Sequence, residues 1–339
     1  MYFGPRPPLD AAGCVLAHRL RVGDLVLPKG HRLSSSDCEA VHAAGNCQVT
    51  VACLDAEDVG EDEAARQLGS ALSLPGIRAA EAFTGRVNLF AQSAGVLVVD
   101  PEQVEAFNSI DEGMTLATLA PFRRVVADEM IGTVKIIPFA LPVSVVRAGL
   151  ETLDGKALLA LKPFLTKRVG LVMLALAETK ASVIAKTERV TRKRVETLGG
   201  SLVPLGTLVQ DFAVLSAHLA GLDLSSCDIL LIFGAAAITD RRDVIPRALE
   251  AVGGELIHLG MPVDPGNLLL LAQWRGKPVI GAPGCARSPA ENGFDWVLER
   301  LVADIPVAAR DIRAMGAGGL LMEIVSRPQP RGGKTGESA

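Results

Sequence analysis

The chain has 339 residues, 34 Lys plus Arg against 38 Asp plus Glu and a net charge of -4, a length that argues for two compact units. Hydrophobic residues make up 49% and charged residues 21%, which supports folded cores and excludes general disorder. A pI near 5.8 and only 4% aromatic residues exclude a generic nucleic-acid surface, both electrostatically and as a stacking platform.

Short apolar runs broken by turn residues, at 15–17, 24–30 and 48–51, predict strands. Between the last two, Ser34 to Asp37 ahead of Cys38–Ala44, with Gly45 behind, predict a short capped helix. Residues 60–74 predict a second helix, with Asp62 and Glu63 in its first turn and Ala64, Ala65, Leu68, Ala71 and Leu72 at helical spacing. Gly95–Asp100 predicts a buried strand, and helix and strand alternate on to Val134–Phe139. Residues 155–166 are expected to be a connection, so the first unit is placed at 1–160 as a smaller β-rich α+β unit.

The second unit, placed at 165–325, opens with the apolar run Arg168–Leu174, as in a parallel strand covered on both faces. Residues 182–198 predict a helix whose exposed face gathers Lys186, Arg189, Arg192, Lys193 and Arg194. Ser201–Val203, Cys227–Gly234 and Pro278–Gly281 are expected strands; Phe212–Leu219, Ile245–Ala251 and Asn292–Val302 are expected helices. This alternation predicts a doubly wound, three-layer α/β sheet with its ligand at the carboxyl ends of the strands. Residues 326–339 have no apolar content to bury and are expected to be a flexible tail. The six cysteines form no C-x-x-C pair and none has His at metal-ligand spacing, so all are read as reduced thiols. No apolar run reaches the roughly 18 to 20 residues of a membrane span, and the first residues lack a secretory signal, so the expected location is the cytoplasm.

Three turns carry the candidate chemistry. In Gly234-Ala235-Ala236-Ala237, small residues let backbone N–H groups approach a ligand. Beyond them, Arg242 offers a guanidinium for phosphate and Asp243 a carboxylate for magnesium, or a cap for the next helix. Pro283-Gly284-Cys285-Ala286-Arg287-Ser288 offers backbone donors, a hydroxyl and a positive charge before the last predicted helix. Cys285 is read as a small lining residue rather than a nucleophile. The Pro- and Gly-rich segment 260–267 is expected to close one end of the same cleft. Asp211, just past a strand end, is either a second magnesium ligand or a helix cap.

Residues 227–246 and 281–288 resemble the molybdopterin-binding domain shared by molybdopterin adenylyltransferases and molybdopterin molybdotransferases. That family runs an Asp-led strand into Gly-Gly-Thr-Gly and then Arg-Asp-Val-Thr-Pro, where this chain has Asp228, Gly234-Ala-Ala-Ala and Arg242-Asp243-Val244-Ile245-Pro246. Its Pro-Gly-Asn-Pro-x-Ser turn is similar to Pro283–Ser288, and its Pro-Gly-Lys-Pro to Asp264–Asn267. The first unit, with Lys29–Leu33 and Asp37, looks like the segment that precedes this domain in molybdotransferases. The resemblance implies that Asp243 and Asp211 place magnesium and act in catalysis. It also implies that Gly234, Ala235, Ala236, Arg242, Pro283, Gly284, Cys285 and Ser288 line the pterin-phosphate site. Molybdopterin is then substrate or ligand, ATP and molybdate are possible co-substrates, and molybdate insertion ranks above adenylyl transfer. A non-catalytic pterin carrier serving a partner nucleotidyltransferase or a molybdoenzyme maturation partner is the alternative, and a homo-oligomer is expected. Two departures count against catalysis: Ala235–Ala237 replace Gly-Thr-Gly, and no Thr-Gly-Asp-Glu segment follows the first strand, where the chain reads Leu174–Lys180.

Overall fold

The computed structural model describes residues 1–155 and 158–321. The expected tail at 326–339 lies outside them. The chain is a mixed α/β protein with several sheets, and its contacts divide it into two units, Met1–Pro163 and a second beginning at Phe164. Among the described residues no helix is long and apolar enough to cross a membrane.

The first unit contains two hydrophobic clusters. In the smaller one, the strands Tyr2–Arg6, Val49–Cys53 and Val15–Leu16 form an antiparallel sheet. They pack with the helix Ser35–Ala43 around Leu16, Leu33, Val41 and Val51. The expected cap of this helix is present as a reciprocal pair: the Ser34 hydroxyl accepts from the Asp37 N–H, and the Asp37 carboxylate accepts from the Ser34 N–H at 2.9 Å. The larger cluster gathers Leu68, Leu89, Leu97, Phe107, Ile131 and Val146 from a four-stranded sheet, a three-stranded sheet and the helices Glu61–Ala71, Pro101–Asn108 and Val143–Leu153.

Two expectations are corrected here. Residues 155–166 are not simply a connection, because Leu159–Pro163 is a strand paired antiparallel with Gly95–Val99. Nor are all six cysteines reduced: Cys14 and Cys53 are bonded, with Cα atoms 4.4 Å apart. The cause is tertiary. Val15 faces Ala52 in the antiparallel register, which carries Cys14 opposite Cys53 although 39 residues separate them. Cys38, Cys47, Cys227 and Cys285 are free thiols.

Hydrogen bonds from Ser34, and then from His31, hold the Asp37 carboxyl down at about 2. Its folded pKa lies below the ordinary value of about 3.9. The cap therefore contributes fully above about pH 4 and is lost as pH falls through about 2. Urea unfolding between pH 5 and pH 2 should show a steeper acid loss of stability for the native chain than for Asp37→Asn, and equal slopes would refute this assignment.

The second unit is built on a six-stranded sheet in the order Ser201–Val209, Arg168–Ala175, Ile229–Phe233, Lys277–Ala282, Leu270–Trp274, Glu255–Leu259. The first four are parallel, and Leu270–Trp274 runs against both of its neighbours. The alternating side chains of the two central strands divide between two cores. Leu171, Leu231 and Phe233 join Val195, Phe294 and Val297 of the helices Ala181–Thr197 and Gly293–Val302. Val172, Leu230 and Ile232 join Leu215, Leu219 and Leu249 of the helices Phe212–Gly221 and Val244–Ala251. From Arg168–Ala175 the chain crosses outward to Ser201–Val209 and then returns to the other side as Ile229–Phe233. That reversal places the carboxyl ends of these two strands at the switch point of the sheet, the position that favours ligands in parallel sheets.

Candidate functional site

Two turns meet at this edge. Ile229–Phe233 ends at Gly234, where a side chain would come within 2.6 Å of the Ala236 carbonyl, so close backbone packing requires glycine. Lys277–Ala282 ends at Pro283, and Gly284–Arg287 forms one 3-10 turn. A single side chain ties them together. Arg287 donates from Nη2 to the Gly234 carbonyl at 2.6 Å and from Nη1 to the Thr187 hydroxyl at 2.7 Å, and its guanidinium lies 5.3 Å from the centre of the Phe233 ring. Burial works against this charge and pushes its pKa down. Among the described residues it has no carboxylate partner, and three of its five N–H donors make no hydrogen bond.

The backbone donors of the small-residue turn are already engaged. The N–H groups of Ala235 and Ala236 both donate to the side-chain oxygen of Gln210, the latter at 3.2 Å. Gln210 is held beside the first central strand by its own N–H, which donates to the Ala175 carbonyl at 3.0 Å. Sequence reading passed over this residue. Its only local signal is its place between the strand Ser201–Val209 and the cap Asp211.

The two aspartates expected to hold magnesium are helix caps. Asp211 Oδ1 accepts from Ala213 at 2.8 Å and from Val214 at 3.0 Å. Asp243 Oδ1 accepts from Val244 at 2.8 Å, and its Oδ2 from Thr239 at 3.3 Å. Among the described residues no group of three or more His, Cys, Asp or Glu is arranged to hold a metal ion. Capping engages only Oδ1 of Asp211, and magnesium takes one or two carboxylates with water and phosphate oxygens, so the cap and a metal role are compatible. Arg242 is also placed differently from the expectation of a phosphate clamp. It pairs with Asp240 at 2.8 Å, stands 89% exposed, and holds the Asp240 carboxyl at about 2. The two charges lie two residues apart on an exposed turn and satisfy one another.

Cys285 lies half-buried in the second turn, and burial pushes its thiol up, which keeps it protonated and unreactive near neutrality. Ser288 is exposed, and its hydroxyl accepts from the Ala290 N–H at 3.3 Å. The turn is braced from behind by Arg194, which reaches Asp295 at 2.6 Å and donates to the carbonyls of Ala286, Ser288 and Ala290. Arg194 therefore leaves the solvated helix face assigned to it: its side chain is 11% exposed, whereas Lys186, Arg189 and Lys193 are exposed as expected. The 260–267 segment follows the strand Glu255–Leu259, which runs parallel to Lys277–Ala282, and so stands at the same sheet edge. There Gly266 packs against Gly293 at the start of the last long helix.

No protein-family model and no curated protein matches the chain. Among solved structures, it is similar to the molybdopterin biosynthesis moea protein from Pyrococcus horikosii, at 11% identity and a TM-score of 0.32, over 91% of this chain and 76% of that one. It is also similar to a molybdenum cofactor biosynthesis protein B, at 16% identity and a TM-score of 0.31, over 42% of this chain and 96% of that one. At such TM-scores these likenesses carry no part of the functional reading, which rests on the residues described above.

Proposed function

We propose that the second unit binds a phosphorylated pterin of the molybdopterin class, and that the protein acts in molybdenum cofactor biosynthesis by holding the pterin or handing it on. The observation that carries this reading is Arg287: a half-buried guanidinium without a carboxylate partner among the described residues, joining the two turns at the sheet reversal. A phosphate supplies the missing negative charge and accepts from the remaining N–H donors in charge-assisted hydrogen bonds. The pterin class comes from the sequence resemblance, whose two motifs, Gly234–Pro246 and Pro283–Ser288, stand at the same edge. Two cores on opposite faces of the six-stranded sheet support a doubly wound, three-layer arrangement with its switch point at this edge.

Binding is favoured over catalysis because Ala235–Ala237 stand where the resembled family has Gly-Thr-Gly and no Thr-Gly-Asp-Glu segment follows the first strand of this unit. In the pterin complex Arg287 would orient the phosphate and the Gly234 turn would limit its depth. The test is anaerobic incubation with molybdopterin and Mg-ATP, followed by identification of the pterin left on the protein and in solution. Bound, unmodified pterin is expected. Adenylylated pterin would overturn the non-catalytic part of the reading, and absence of bound pterin would overturn all of it.

A further inference from the structure

Two threonines stand one turn apart on the face of the helix Ala181–Thr197 that carries Ile184 and Val195 into the core, and both are buried. Each hydroxyl donates to a carbonyl one turn back, Thr187 to Val183 and Thr191 to Thr187, both at 2.8 Å, so neither requires a further partner. Among the described residues only Thr187 has one. Its proton is already committed to Val183, so its oxygen can only accept, and it accepts from Arg287 Nη1 at 2.7 Å across 100 residues of chain. With the bond from Nη2 to the Gly234 carbonyl at 2.6 Å, the guanidinium is held at two points while it packs against the Phe233 ring.

We infer that Thr187 is a positioning residue for the phosphate: it fixes the guanidinium of Arg287 before the anion arrives. This rests on the phosphate-binding reading of the site. A free arginine side chain has many rotamers, and ordering it at the moment of binding subtracts from affinity. Two tethers impose that order in advance. Both tethers are neutral acceptors, so the positive charge stays uncompensated for the anion. The donor that Thr187 occupies is no loss either, because three N–H donors remain and a bidentate contact with phosphate uses two. A threonine that served only the packing of the helix predicts a different pattern. Thr191, equally buried one turn away and without a bond to Arg287, would then matter to phosphate as much as Thr187.

The experiment is calorimetric titration of the full chain with inorganic phosphate, in the native protein, Thr187→Val, Thr187→Ser, Thr187→Ala, Thr191→Val and Arg287→Met. The order parameter of the Arg287 Nε–H is measured by NMR relaxation in the phosphate-free proteins. Thr187→Val keeps the shape and removes the acceptor, and is expected to weaken phosphate binding by about fivefold, the cost of ordering one long side chain. The order parameter should fall in the same variant. Thr187→Ser keeps the hydroxyl and should bind phosphate as the native chain does, and Thr191→Val should leave the affinity unchanged. Serine against alanine at 187 repeats the comparison at smaller volume, in case the valine methyl disturbs the core. Native-like or tighter binding by Thr187→Val and Thr187→Ala, with Arg287→Met inactive, would overturn the inference and leave the site reading standing. So would an equal loss in Thr187→Ser or in Thr191→Val. Phosphate affinity insensitive to Arg287→Met would overturn the site reading itself, and no phosphate binding by the native chain would overturn both.

Discussion

Arg287→Met is expected to weaken phosphate and pterin binding by at least about 30-fold while leaving the protein folded. A hydrogen bond to a charged group contributes about 1.5–3 kcal/mol, so loss of the guanidinium removes at least about 2 kcal/mol of binding. The stability cost is smaller for three reasons. Methionine retains much of the apolar volume over Phe233. The Thr187 hydroxyl keeps its own bond to the Val183 carbonyl at 2.8 Å. Removing a half-buried charge that has no opposite partner among the described residues relieves desolvation, which offsets the loss of the bond to the Gly234 carbonyl. Titration calorimetry and thermal unfolding of the same preparation separate these effects. A variant that binds phosphate within twofold of the native chain would remove Arg287 from the site, and a variant that no longer folds would make the arginine a structural strut.

Arg194→Ala is expected to produce the largest loss of stability, about 3 kcal/mol or more. Its guanidinium makes a 2.6 Å bond with Asp295, and both side chains are nearly buried, 11% and 15% exposed. Burial pushes the Asp295 carboxyl up while Arg194 opposes that effect, so removing the arginine strands a carboxylate in a desolvated place. It also leaves the carbonyls of Ala286, Ser288 and Ala290 without their donor. Asp295→Asn alone is expected to cost less, because the asparagine oxygen can still accept from the Asn292 N–H, now held at 2.9 Å, and the three carbonyls keep their donor. Urea denaturation of both single variants and the double variant gives the coupling energy. Additive losses would show that Arg194 and Asp295 do not act as a pair. Arg287 lies on the turn that Arg194 braces, so Arg194→Ala should also weaken phosphate binding.

Much of the second unit was legible because its signals are local. An unbroken apolar run such as Ile229–Phe233 has few alternatives to a buried strand, and all five of its residues are buried. The caps at Ser34, Asp211 and Asp243 followed from short polar side chains standing just before apolar helical spacing. The strands Glu255–Leu259 and Leu270–Trp274 were not anticipated. Each is five residues long and they flank a Pro- and Gly-rich segment, so only antiparallel pairing at the end of the sheet stabilises them.

The candidate site divides along the same line. By itself the sequence determined that two turns of small residues, Gly234–Ala237 and Pro283–Cys285, follow buried strands, and that Asp211 and Asp243 precede helices. Only the tertiary structure decided that Arg287 joins the turns, that Gln210 fills the amide pair, that Arg194 leaves the solvated face and that Cys14 meets Cys53. Caps and buried strands are settled within a few neighbouring residues. The partner of a long polar side chain or of a cysteine depends on which distant elements pack together, and in these four cases between 25 and 101 residues separate the groups that meet.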